Sequence, residues 1–232
     1  MEERINRMLS FIKIVILKSD KISRVIAFFY THLFGFNKIL GKRLNKIHLQ
    51  NSFIKNTSII MKGKKNHIYL RDHCVLHHCK IYIKGDHNKI FLDKKVSMAN
   101  LEIHIEDNHN VVNIGEATHI SGTTHLACIE GKSIIIGERC LFSSDITFRT
   151  GDSHTIVDNK GNRINYSKDI EVGKHVWIGN KVILTKGAKI GDNSIIATGS
   201  IVTKPFNETG VILGGIPAKV IRSEINWEER RR

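Results

Sequence analysis

Between Glu171 and Lys204 an apolar residue returns every six positions without exception: Val172, Ile178, Leu184, Ile190, Ile196 and Val202. Small or branched residues (Val176, Val182, Ala188, Ser194, Ser200) stand two places before the last five, and glycine follows at 173, 179 and 191. On a helix this period would carry the apolar positions around the whole cylinder. It suits a coil with three flat sides, each about six residues long, so that a full turn takes roughly 18 residues. The same spacing recurs earlier at Ile136, Phe142 and Phe148, with bulkier side chains.

A second, longer repeat precedes it. The segments starting at Ile59, Ile81 and Ile103 align at an offset of 22, together with Met61, Ile83 and Ile105, and with Ile68, Ile90 and Val112. Leu70, Leu92 and Ile114 align as well, and one segment away so do Ile54, Leu76, Met98 and Ile120. Strict alternation, as in Ile81-Tyr82-Ile83, is the pattern of a strand with one face buried. Asn66, Asn88 and Asn110 also share the offset. They fall between strands, where Asn tolerates left-handed backbone and bonds to its own turn, so stacked turns would set these amides in a ladder. A fourth turn keeps Ile134, Ile136 and Phe142 but has Lys132 in place of the Asn. Together the repeats predict a β-solenoid whose coils are about 4.8 Å apart.

The solenoid spans residues 51–222. Residues 1–50 are expected to form a basic helical segment, since Ile5, Met8, Leu9, Ile12 and Val15 fall at helical spacing. Residues 223–232 read as a charged tail. The net charge is +14, and residues 1–50 hold ten Lys and Arg against three Asp and Glu. That segment could cap the fold, mediate association between subunits or lie on an anionic membrane. The longest uncharged apolar run, Val25 to Asn37, is too short to span a bilayer. No nucleic-acid-binding motif accompanies the charge. Four cysteines without a CxxC pair and no evident secretory signal point to a reduced, cytoplasmic setting, at most against the inner face of the membrane.

One stretch breaks the rhythm. "FRTGDSHTIVDNKGNRINYSK", Phe148 to Lys168, has no apolar face and is expected to leave the solenoid as a loop over 149–169. Of 13 histidines, His154 alone sits in it, two residues after Asp152.

The motifs "DSHTI", "HVWIG", "KIGDNSIIATGSIVTK" and "GGIPAKVIR" resemble those of the hexapeptide-repeat acyltransferases, chiefly the O-acetyltransferases that decorate bacterial surface polysaccharides. The resemblance implies a left-handed parallel β-helix, a homotrimer, and acetyl-CoA as acyl donor in the groove between neighbouring subunits. It implies a carbohydrate acceptor and no metal. Histidine titrates near neutral pH, and His154 is the expected general base toward a sugar hydroxyl, in direct transfer without an acyl-enzyme. Asp152, or Asp145 in "SSDI", would orient the ring. Trp177 falls one place before an inward position and should point outward, as a wall of the acyl channel or in trimer packing. Arg163, Asn165 and Tyr166, with Asp145, are candidate acceptor contacts. Gly179, Ala197 and Thr198 lack bulk and would let the pantetheine arm pass; Lys204, Lys219 and Arg222 would meet the phosphates.

Other readings use the same residues. N-acetylation of an amino sugar needs the same base and donor. A non-catalytic glycan-binding solenoid would explain the repeats but not the loop. A zinc enzyme would need three converging histidines, and although His87 and His109 share the 22-residue offset, no open triad is evident. Cys140 lies near the loop but at a coil position, where it reads as a small buried hydrophobe.

Overall fold

The computed structural model describes residues 25–27 and 29–230. From Lys38 onward the chain winds as stacked coils with three flat faces. Face A carries eight strands from Lys38–Leu40 to Ile201–Val202, and face B eight from Lys46–Leu49 to Pro205–Phe206. Face C carries nine: eight from Phe53–Lys55 to Ile212–Gly215, and a ninth, Ala218–Arg222, which returns antiparallel. All other strand pairings within the three faces are parallel, each strand bonding to the one a turn above.

The register reproduces the sequence offsets. Ile59 pairs with Ile81 and Ile81 with Ile103 at the offset of 22, whereas Ile103 pairs with Leu126 at 23. Above the loop, Leu184 pairs with Val202, which sets the shorter period of 18. Faces A and B account for the change; on face B the strands shorten from four residues, as in His67–Leu70, to two, as in Lys189–Ile190. On face A the lower strands are five or six residues long, as in Ser58–Lys62 and Leu101–Glu106. The upper ones, Ile183–Thr185 and Ile201–Val202, have three and two.

Every residue of the six-residue series from Val172 to Val202 is buried, as are the small residues two places before each. Where the two periods meet, Phe142 and Phe148 fill the interior with stacked rings 5.7 Å apart. The asparagines form the expected ladder. Asn66, Asn88 and Asn110 are fully buried. The backbone N–H of each donates to the amide oxygen of the Asn one coil below, at 2.8–2.9 Å. Asn45 starts the ladder, and Lys132 ends it by donating its own backbone N–H to Asn110. Each amide thus satisfies turn groups that a buried corner would otherwise leave unpaired.

The N-terminal boundary differs from the sequence expectation. The helical pattern of residues 1–24 lies outside the described residues. Among the described ones, helical structure ends with a π-turn at Tyr30–Phe34, and strands start at Lys38, ahead of the boundary expected at 51. Ile39, Ile47 and Leu49 already pack against the core. The segment around Thr31 caps the open end of the first coils: its hydroxyl donates to the Ser52 carbonyl and accepts from the Ile54 N–H. Among the described residues no helix is long and apolar enough to cross a membrane.

The tail is likewise more than a charged end. Ile225 donates its N–H to the Gly210 carbonyl. Trp227 is 8% exposed, stacks on His175 at 4.1 Å and donates its indole N–H to the His175 carbonyl.

Candidate active site

The loop leaves face A after Ile146–Arg149 and rejoins face B at Ile170–Val172, so it projects from the edge between those faces. Its base closes where Lys168 donates its N–H to the Thr150 carbonyl at 2.8 Å. There Gly151 lies against Ser167, and a Cβ at Gly151 would stand 2.0 Å from the Ser167 hydroxyl oxygen, so a larger residue would force the Ser167 and Ile129 side chains to shift. Farther out, Val157 and Arg163 form an antiparallel bridge. Asp158 ties the tip by accepting the backbone N–H groups of Lys160 and Asn162.

Asn165 organises the interior of the loop. It is 5% exposed. Its amide nitrogen donates to an Asp152 carboxylate oxygen and to the His154 carbonyl, each at 2.8 Å, and its amide oxygen accepts the Ile156 N–H. Lys186, one coil above, forms an ion pair with Asp152 and also donates to the Asn165 carbonyl at 3.1 Å. Hydrogen bonds from Lys186 and then Asn165 hold the Asp152 carboxyl below the usual range, against a small desolvation penalty. Arg163 reaches back to Glu130, whose other oxygen accepts the Ser167 N–H. Burial pushes the Glu130 carboxyl up, but the bonds from Arg163 and Ser167 outweigh it and hold it low.

This arrangement sorts the residues expected from the sequence. His154 is exposed on the loop, and the structure holds it through its backbone. The Asp152 carboxylate is directed to Lys186 and Asn165, so within one chain it anchors the loop and does not orient the His154 ring. Asp145 is exposed in a left-handed turn, φ 60°, at the other edge of face A, where it adjoins face C. Arg163 and Asn165 have structural partners. Tyr166 is 62% exposed, under the Arg163 guanidinium at 5.0 Å.

The remaining candidates lie around face C. Trp177 points outward and is 42% exposed, with Trp227 of the tail at 6.1 Å. Gly179 pairs upward with Ala197, and Ala197 with Gly214, giving a strip of small residues up the end of that face. Gly179 is also required by packing, since a Cβ there would stand 2.8 Å from the Thr198 nitrogen. Lys219 lies opposite Gly214 and Arg222 opposite Ile212, beside the top of the strip. Lys204 is separate from them, at the edge between faces A and B, with its ammonium over Phe206.

Residues 169–204 match the family model described as bacterial transferase hexapeptide (six repeats). That stretch is similar to the hexapeptide repeats of bacterial transferases. The chain is 34% identical over 118 residues to the galactoside O-acetyltransferase of Escherichia coli (strain K12), a match covering 51% of the chain and 57% of the relative. It spans about half the length of the first curated relatives it matches. Among solved structures it is similar to the polysialic acid O-acetyltransferase OatWY, with TM-score 0.77 and 26% identity, covering 84% of this chain and 92% of that one. It is similar also to the polySia-specific acetyltransferase NeuO, with TM-score 0.71 and 28% identity, over 84% and 85%.

The sequence alone does not single out Lys186, Glu130 or Trp227. Lys186 is spaced 34 residues from Asp152 and Glu130 33 from Arg163, and no local pattern links such pairs. Trp227 carried one usable signal, an isolated large aromatic in an otherwise charged tail. Among the described residues no group of three or more His, Cys, Asp or Glu side chains is placed to hold a metal ion.

Proposed function

We propose that the chain is an acetyl-CoA-dependent O-acetyltransferase that acts on a sugar hydroxyl of a bacterial surface polysaccharide or its precursor. The observation that carries this reading is the exposed His154, set on a loop that the Asn165–Asp152–Lys186 network ties to the rigid coil. Acetyl transfer to an alcohol needs a base with a pKa near the working pH, within reach of the hydroxyl proton. His154 takes that proton at a ring nitrogen as the acceptor oxygen becomes nucleophilic. The rigid anchoring of its backbone limits the entropy lost in aligning base and acceptor.

The residues present fit the donor. The strip Gly179–Ala197–Gly214 offers a floor without side-chain bulk, and Lys219 and Arg222 beside its top suit phosphate oxygens. The donor supplies an activated acetyl thioester. Trp177 walls this side, with the Trp227 strap behind it.

The base and the donor strip stand on different edges of one prism, His154 between faces A and B and the strip at the end of face C. A homotrimer would set the loop edge of one copy against the strip of the next, which supports a site completed between subunits. The test is thiol release from acetyl-CoA with a panel of polysaccharide and lipid-linked acceptors. Acceptor-dependent release by the wild type, lost in His154→Ala, is the expected result. Release by His154→Ala at the wild-type rate would overturn the assignment.

A further inference from the structure

From residue 25 to residue 71 the chain carries seven Lys and two Arg, and no Asp or Glu. This stretch forms the first coils of the solenoid, at the end opposite the strand Ala218–Arg222. Of its nine cations one has an ion pair among the described residues, Arg71 with Asp93.

Large apolar side chains stand exposed among these charges. The edge of the first coil starts with Phe34 and Phe36 at the corner between faces C and A. It follows the strand Lys38–Leu40 and reaches Leu44 at the corner between faces A and B. Leu33, Phe34, Phe36, Leu40 and Leu44 are all exposed. Phe36 is the most exposed of them, at 85%, and sits in left-handed backbone, φ 48°, which a bulky side chain disfavours. The turn that presents it is held in place. Asn37 donates its amide to the Thr31 and Ile54 carbonyls and accepts the Thr57 N–H, while the Asn56 N–H donates to the Gly35 carbonyl. At the other corner, Lys42 and Arg43 precede Leu44, and the next coil sets Lys64 and Lys65 over them, with the Lys65 N–H donating to the Leu44 carbonyl at 2.8 Å. All four cations are exposed.

Lysines on a terminal strand would by themselves only keep its unpaired edge from joining another sheet. Phenylalanine and leucine exposed between them undo that protection. A soluble polyanion would use the cations and leave the rings in water. A second copy docked end to end would set like charges face to face. An anionic bilayer uses both features: rings and leucines enter the boundary between headgroups and acyl chains, and long Lys and Arg side chains reach the lipid phosphates. We infer that the edge formed by residues 34–44, with Lys64 and Lys65, docks this end of the solenoid on a membrane surface rich in anionic lipid.

Sedimentation of the full chain with vesicles is the test. The probes are vesicles of phosphatidylcholine alone and of phosphatidylcholine with about one-third phosphatidylglycerol, at low and at high salt. Binding to the mixed vesicles is expected to be about tenfold tighter or more, and high salt should remove most of that difference. Phe34→Ser with Phe36→Ser should weaken binding to the mixed vesicles by about tenfold or more. Lys42→Gln with Arg43→Gln should narrow the preference for anionic vesicles. All four side chains are exposed, so the melts of both variants should match the wild type. No binding, equal binding to both vesicles, unchanged binding after Phe34→Ser with Phe36→Ser, or an unchanged preference after Lys42→Gln with Arg43→Gln would each overturn the inference. So would self-association without vesicles that the phenylalanine variant abolishes, since a second copy would then cover this end. The measurement uses neither acetyl-CoA nor an acceptor, so its outcome is independent of the role of His154.

Discussion

The side-chain amide of Asn165 donates to the backbone carbonyl of His154 at 2.8 Å, across a loop that has almost no regular structure of its own. A buried amide with partners on both its nitrogen and its oxygen acts here as a substitute for the strand pairing that the loop gave up. Asn165→Ala should therefore loosen the position of His154 and leave the solenoid folded. The expected cost is about 1–3 kcal/mol in stability and up to about 100-fold in the rate of transfer, since small misplacements of a reacting group are costly. Chemical melts and steady-state transfer kinetics on the same samples measure both.

His154→Ala removes an exposed side chain, so its melt should match the wild type. The rate should fall by about 10²–10⁴, the range expected for loss of a general base. Circular dichroism with acetyl transfer assays separates this from a folding defect.

Asp152 should make the loop sensitive to acid. Its carboxyl is held below the ordinary value of 3.8, first by Lys186 and then by Asn165. A group with a depressed folded pKa contributes stability above its unfolded value and loses it as pH falls through the folded one. Loop anchoring is thus expected to be complete at neutral pH and to weaken only below about 3.8. Lys186→Gln removes the leading cause and should weaken it already at neutral pH. Hydrogen-exchange protection of the Ile156 and Ile164 amides reads the effect directly.

The asparagine ladder gives a prediction for the scaffold. Asn88 accepts from the backbone and side chain of Asn110 and donates to the Asp107 carbonyl. Asn88→Ala leaves these groups unpaired in a dry corner and should cost about 2–5 kcal/mol. A urea midpoint lowered accordingly, with an unchanged slope, is the expected outcome.

The four cysteines test the packing from another side. Burial is the leading cause that pushes the thiols of Cys74 and Cys140 up to about 11 and that of Cys128 up to about 12, and that of Cys79 upward. Thiolate is the reactive form, so a thiol reagent at pH 8 should label none of them in the folded protein and all of them in denaturant. Fast labelling of Cys140 in the native chain would contradict its place in the coil.

Much of this was legible from spacing. Ile178, Leu184 and Ile190 recur at six because each flat side returns an inward position after the same number of residues. Asn66, Asn88 and Asn110 recur at 22 because the lower coils carry longer strands on faces A and B. The loop was legible as the place where that recurrence fails. The strands at Lys38–Leu40 and Lys46–Leu49 were not, because three or four residues at the fraying end of a repeat show too little periodicity to stand out from the helical pattern before them.

Periodicity is local and cumulative, so the sequence by itself determined the coil, its register and the point of interruption. Which groups meet across the coils was decided only by the tertiary structure. Lys186 reaches Asp152, Glu130 reaches Arg163 and Trp227 returns to His175, because stacking brings distant segments within hydrogen-bond range, a distance that spacing along the chain does not encode. The same stacking left Arg149 without an ion pair among the described residues. A charge is free or spent according to its neighbours in space, and only the folded chain has those.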